Sequence, residues 1–551
     1  MFPAPRFPCL VVCSFLGAGL FSAKIAAAEL SPPAQPKSIA VPAKMRVDAA
    51  GKNLQPFRAR VGGKDYDFAE LLKLKPADTM GVEVLTVVPF CFKHAGMLND
   101  LKQLNFIKQK IAEGKEPWAS AFERLKKSAA ARLNYLEKMK EPPAVIKCDF
   151  SGANNVGALE EMRDASAAYA QALMWYFTGD RAYATNAAGI LETYAKTVTS
   201  HEGKNWYLLA AWPGSVFPVA ADLLRATDPQ WHSAPVIAKW FNDVFLPQLH
   251  DRIGWGNRGL AVMNAMAAIG VFNEDTAAFY EALNHWVNYV PAYYYLSEDG
   301  ATPRLPDYWI PEITPSDEFL LMLDAPTFPK DWTPWIQLAA ENWNLNKRRG
   351  KFGDDVTGMR KTAQEQMDPA AGWKGAPGTY LSGYTAETGR DLNHVDQAFA
   401  STMNLAEIAW HQGIDLYSPT AKRFAAFMEA HATLRLGESP PAAVTIELTA
   451  WGMAPVFEIA YDRYHNVMGI DLPNTRKLLE SVFWPAKGEL VYPMVRGDKG
   501  RDPENPRLWK YAAPFPPLFA TSIQTDSGWL ANWQTLTHHD LHASGESERS
   551  N

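Results

Sequence analysis

Arg390 and His394 stand four residues apart in Glu387-Thr388-Gly389-Arg390-Asp391-Leu392-Asn393-His394, a spacing that puts a permanent cation and a titratable imidazole on one helix face. Such a pair can bind an anion and move a proton. The plainer alternative is an ion pair of Arg390 with Glu387 or Asp391. Gly256-Asn257 stands just ahead of a helical pattern, where an asparagine serves as an N-cap or as an amide donor, and Arg258 follows it. Tyr461 and Tyr464, spaced i, i+3, share one face of a helix, and Tyr380 and Tyr384 lie just upstream of Arg390. Each phenol either exchanges protons with a ligand or packs a core and bonds to backbone.

The rest of the chain bounds what these residues can serve. It has 551 residues, 47% hydrophobic and 21% charged, which excludes a disordered chain, a collagen and a multi-span membrane protein. Lys and Arg number 54 against 60 Asp and Glu, a formal charge of −6, so no global basic field gathers nucleic acid. An anionic ligand has to be held by local Arg, Lys, His and amide donors. The 19 Trp, 20 Tyr and 27 Phe suit either a large core or a sugar-binding cleft. Four cysteines without a CxxC pair, and the lack of an HExxH helix, give no reason to expect a metal.

Five segments surround the candidates. Arg6, an apolar run at 8–16 and Ala26-Ala27-Ala28 read as a secretory signal over 1–28, with a retained anchor as the alternative. The mature protein is then secreted or periplasmic, without an integral membrane segment, and Cys91 and Cys148 either pair or stay as free thiols. Residues 29–90 read as a tether with a short extended piece at 57–68, where Gly62-Gly63 suits a hairpin turn. From about 100 the period is helical. Met162, Ser166, Tyr169, Leu173 and Tyr176 form one stripe, Thr178-Gly179-Asp180 breaks it, and Tyr183, Ala187, Ile190, Leu191 and Tyr194 form the next. The same hairpin recurs at 260–290 around Asn273-Glu274-Asp275 and at 395–432 around Gln412-Gly413-Ile414-Asp415. Hairpins of irregular period without a strand-rich block imply an all-α toroid or solenoid. Prolines crowd a 303–375 insertion that also carries Trp309, Trp332 and Trp335, which reads as a wall or lid with a sugar platform. Residues 471–551 read as a C-terminal extension without clear helical period, packing on the toroid and ending in a polar, frayed tail.

Several blocks in order resemble the alginate-lyase-like superfamily of polysaccharide lyases over roughly 90–470. They are His94-Ala95-Gly96-Met97-Leu98 with Gly114-Lys115-Glu116-Pro117-Trp118, Gly256-Asn257 ahead of Ala268-Ile269-Gly270, and the Glu387 to His394 stretch with Ala409-Trp410-His411-Gln412-Gly413. Glu458-Ile459-Ala460-Tyr461 with Tyr464 completes the set. The resemblance implies an incomplete (α/α) toroid, here spanning 91–470, that cleaves an anionic, uronic-acid-containing polysaccharide by β-elimination without metal or organic cofactor. It also implies roles. Asn257, Arg390 and His394 would neutralise the uronate carboxylate as C5 loses its proton, His394 or a tyrosine would take that proton, and Tyr461 would protonate the departing O4. Arg258, Tyr380, Tyr384, Tyr464 and Trp309 would line the substrate. The chain departs from the pattern at Arg258, where relatives often have Trp or His, and at Met453-Ala454-Pro455, where many have an Arg; Arg258 is the candidate to restore that charge. Two other readings stay open. An inverting glycoside hydrolase would need carboxylates about 6.5–9.5 Å apart, for which Asp307, Asp317 and Asp391 are available. A non-catalytic polysaccharide-binding protein would need neither.

Overall fold

The computed structural model describes residues 55–56, 58–61, 64–67, 70, 83–85, 92–148, 155–203, 206–250, 256–299, 381–388, 392–436, 456–484 and 533–544. The expected signal, the 303–375 insertion and the end of the tail at 545–551 lie outside them. So does Cys91, and nothing is described of the Cys148 side chain.

The extended piece is a small sheet. Strand β1 (Arg58–Val61) runs antiparallel to β2 (Lys64–Asp67) with Val61 opposite Lys64, and β3 (Glu83–Leu85) pairs with the other edge of β1. Helix α1 (Leu101–Ala112) opens with a reciprocal cap: Asp100 accepts from the Gln103 N–H while the Gln103 side chain accepts from the Asp100 N–H. Helix α2 (Trp118–Lys127) follows. A short strand β4 (Val145–Cys148) then pairs parallel with β5 (Ser200–Gly203), and the chain between them forms the first hairpin, α3 (Ala158–Thr178) and α4 (Arg181–Thr197).

Helix α5 (Trp206–Thr227) was not marked by any stripe. It is apolar on nearly every side, holds Pro213 and Pro218, and is long and apolar enough to cross a membrane, yet Tyr207 to Leu224 are all buried inside the protein. A helix surrounded by others has no solvent face, so its sequence carries no period. After α6 (Ala234–Trp240) come the second hairpin, α7 (Asn257–Asn273) with α8 (Thr276–Tyr293), and the third, α9 (Leu392–His411) with α10 (Tyr417–Arg435).

The three hairpins share one turn device. Asp180, Asp275 and Asp415 each accept from backbone N–H groups at the start of the second helix, at 2.9–3.1 Å. An aspartate in that role contributes about 1 kcal/mol. Gly270 is required by close approach, because a Cβ there would sit 2.7 Å from the Phe279 backbone nitrogen across the α7–α8 hairpin.

Helices α3, α5, α7 and α9 pack each on the next, while α4 and α8 lie outside them and α10 is held to α9 by Phe399 against Phe424 and Phe427. This is an incomplete (α/α) toroid, with an inner row of helices and an outer return row. The expectation of a C-terminal stretch without helical period is corrected within the described residues. Just ahead of 471–551, α11 (Glu458–Tyr461) runs into a π-helical turn; within 471–551, α12 (Pro473–Leu478) also runs into a π-helical turn and α13 (Gln534–Thr537) is helical too, packing on α1, α2 and α11.

Candidate functional site

Side-chain contacts fix the direction of the inner helices. Glu161, in the first turn of α3, is paired at 3.1 Å with His201 of β5, which immediately precedes α5. Arg258, the second residue of α7, donates to the hydroxyl of Tyr207, the second residue of α5, at 3.3 Å. Asn257, the first residue of α7, meets Glu387, five residues ahead of α9. The N-termini of all four inner helices therefore lie at one end of the toroid. Each carries roughly +0.5 of a charge from its aligned peptide dipoles, so this end attracts anions.

Glu387 is the centre of this end. Its carboxylate is fully buried and accepts from the Asn257 backbone N–H at 2.7 Å, from Asn257 Nδ2 at 3.2 and 3.3 Å, and from the Tyr293 hydroxyl at 2.8 Å. The turn that carries it is pinned on two sides. Ala386 N–H donates to the Tyr293 carbonyl at the end of α8, and Thr385 N–H donates to the Thr388 hydroxyl, which meets His431 Nε2 at 3.0 Å. Burial, with Arg435 nearby, pushes His431 well below the usual histidine range, so the ring is neutral; its Nδ1 faces the Phe427 carbonyl and its Nε2 the Thr388 hydroxyl. Gly256 completes the fit. Its φ of +67° suits glycine, and a Cβ there would lie 2.7 Å from the Glu387 carboxyl carbon. Tyr289 donates to the Gly256 carbonyl at 2.8 Å. Burial and the Glu387 charge hold the Tyr289 and Tyr293 phenols protonated, well above the usual tyrosine range.

Asn257 is not the N-cap of its own helix. That position belongs to Gly256, and the Asn257 side chain bonds to Glu387 instead, with 2% of the residue exposed. Arg258 is half-buried beside it, and His394, the third residue of α9, is half-buried on the adjacent inner helix. Asn257, Arg258 and His394 thus sit on the heads of neighbouring helices. Arg390, Tyr380 and Trp309 lie outside the described residues.

The two C-terminal tyrosines part company. Tyr464 is fully buried between Tyr417 and Phe424 with its hydroxyl 3.2 Å from the Thr420 hydroxyl, and burial raises its phenol far above the usual range. The Tyr461 hydroxyl accepts from Arg476 Nε at 3.0 Å, its ring stacks on His465, and burial raises its phenol while Arg476 pulls it back. The shared face expected from their spacing fails because 462–467 is a π-helical turn, which rotates each residue differently from an α-helix. Tyr384 is buried near His431, ring centroids 5.7 Å apart, and packs with Tyr295, Leu392 and Leu434. His411 ends α9, 3.2 Å from the buried Glu407. Sequence reasoning missed Tyr207, whose only signal was position inside an unmarked helix, and Glu387 as partner of a residue 130 positions away.

These features define an incomplete (α/α) toroid with a polar head built on inner-helix N-termini. The structure is similar to alginate lyase A1-III from Sphingomonas species A1, at 12% identity and a TM-score of 0.38, covering 68% of this chain and 91% of that one. It is also similar to an alginate lyase from Bacteroides ovatus, at 12% identity and a TM-score of 0.39, covering 71% of this chain and 100% of that one. No protein-family model and no curated protein matches the chain. At this identity the likeness carries no chemistry, which rests on the residues.

Proposed function

We propose that the protein is a polysaccharide lyase that cleaves a uronic-acid-containing chain by β-elimination. The observation that supports this reading best is the convergence of four inner-helix N-termini on one end, with Asn257, Arg258 and His394 on the heads of two of them. An anionic polymer is favoured there although the whole chain is acidic. In the reaction, a base removes the C5 proton, negative charge spreads onto the C6 carboxylate, the C4–O4 bond breaks as the C4–C5 double bond forms, and an acid protonates O4. Asn257 supplies an amide donor and Arg258 a fixed cation for the carboxylate, with Arg390 as the third such group. Preorganised donors of this kind strengthen as the charge develops, and each typically contributes about 10²–10³-fold. His394 is the base. Tyr461 is the acid that the resemblance implies; Tyr207 competes with it, because its hydroxyl lies 3.3 Å from the Arg258 guanidinium at the heads of α5 and α7.

The test is a product assay on purified protein with alginates, glucuronan and glycosaminoglycans. A lyase gives reducing ends together with rising ultraviolet absorbance from the conjugated double bond. Reducing ends without that absorbance would mean hydrolysis, and neither signal with retained binding would mean a non-catalytic binder.

A further inference from the structure

We infer that Glu387 is a positioning residue, whose buried carboxylate fixes the side-chain amide of Asn257 in the one orientation that can donate to a bound anion. This rests on the lyase reading above. A helix cap needs only the contact with the Asn257 backbone N–H. Here the same carboxylate also accepts from Asn257 Nδ2 with both oxygens, at 3.2 and 3.3 Å, and from the Tyr293 hydroxyl at 2.8 Å. An amide whose nitrogen faces an acceptor-only carboxylate cannot be flipped, since Oδ1 in that place would set two acceptors against each other. One Nδ2 proton is consumed by Glu387, which leaves the second as the donor for a ligand. The absence of a side chain at Gly256 lets the carboxylate come this close, and Tyr293 ties it to the outer helix. A rigid amide loses no orientational freedom when the substrate charge develops, which is the condition under which such a donor raises turnover rather than binding.

The prediction concerns Glu387→Gln, which keeps the shape but offers its own N–H₂ where acceptors are required. Turnover should fall by about 10–100-fold with KM changed less than about threefold, because misorientation by about 1 Å costs that much in rate. The double variant Glu387→Gln/Asn257→Ala should be no slower than Asn257→Ala alone, since one residue acts through the other. Additive losses, or a change in KM only, would overturn the inference. Should Glu387→Gln fail to fold, Tyr293→Phe carries the test: it removes one of the carboxylate's ties and should lower turnover several-fold with KM unchanged, and full turnover would overturn the inference. A readout independent of catalysis is the ¹⁵N side-chain amide of Asn257, assigned by its loss in Asn257→Ala. It should shift in Glu387→Gln, and an unmoved signal would overturn the inference. If the wild-type protein eliminates no uronate polymer, the lyase reading fails while the amide signal still decides the orientation.

Discussion

The two ends of the inner helices obey one electrostatic rule and use it differently. At the N-terminal end, an anion caps a helix head: Glu387 on α7. At the C-terminal end a cation caps a helix tail, where Arg225 donates to the Phe272 carbonyl of α7 at 2.9 Å while holding Asp222 at 3.0 Å. The tails are also laced together by the 92–99 segment. His94 Nδ1 meets Asp222 at 2.6 Å, Gln412 at the end of α9 donates to the Lys93 and Gly96 carbonyls, and Asn99 donates to the Thr537 carbonyl. At the tails, these bonds join one helix end to another and so serve stability. At the heads, Asn257, Arg258 and His394 stand on a field that draws anions, and Glu387 holds one of them still.

The comparison breaks most sharply at His394. Replacing it with alanine should abolish measurable elimination, a loss on the order of 10²–10⁴-fold, with helix content and melting unchanged. Near-normal turnover by the folded variant would remove it from the chemistry. Arg258→Ala comes next, with a loss of about tenfold or more and a KM that rises less steeply with salt than in the wild type, because one screened positive charge is gone from the site. Full turnover in Arg258→Ala would sink the idea that this arginine restores the charge absent around Met453-Ala454-Pro455.

How much of this was legible follows from which signals are local. The three hairpins were readable because outer helices such as α4 bury one stripe and show another, and because each turn carries an aspartate cap within a few residues. Helix α5 was not, since a helix buried all round has no stripe. Asn257 was singled out by the resemblance and His394 by the resemblance together with its spacing from Arg390, and they fall on neighbouring helix heads. What holds Asn257 was invisible, because Glu387 reaches it only through the folded toroid and its local neighbour Arg390 suggested an ion pair instead. The face assigned to Tyr461 and Tyr464 went astray because spacing arguments assume α-helical rotation, and 462–467 has π-helical rotation.

The C-terminal end should answer to stability assays and leave catalysis alone. Arg225→Ala removes the donor to the Phe272 carbonyl and the partner of Asp222, while leaving Asp222 its contacts with His94 and the Gly96 N–H. Arg225 is partly exposed, so the loss should be modest, about 1–3 kcal/mol by urea midpoint, with kcat and KM unchanged. A fall in kcat at constant stability would show that the two ends are coupled through α7.

A further effect at that same end is one of pH. His538 is buried against the laced segment and faces the Leu98 carbonyl at 3.1 Å; burial pushes its imidazole down to about 4 from an ordinary 6.5. The folded protein thus keeps it neutral where the unfolded chain binds a proton. Its contribution is fully present above the ordinary histidine range and is lost as pH falls from about 6.5 toward 4, in all on the order of 3 kcal/mol. His538→Gln retains a donor for Leu98 but cannot titrate, so between pH 7 and pH 5 its melting temperature should fall less than that of the wild type. Parallel melting curves would assign the acid sensitivity elsewhere, with His431 beneath the Glu387 turn the next candidate, since burial lowers it as well. Acid would then loosen the end that holds Asn257 rather than the end that laces the helix tails, and turnover would decline together with stability.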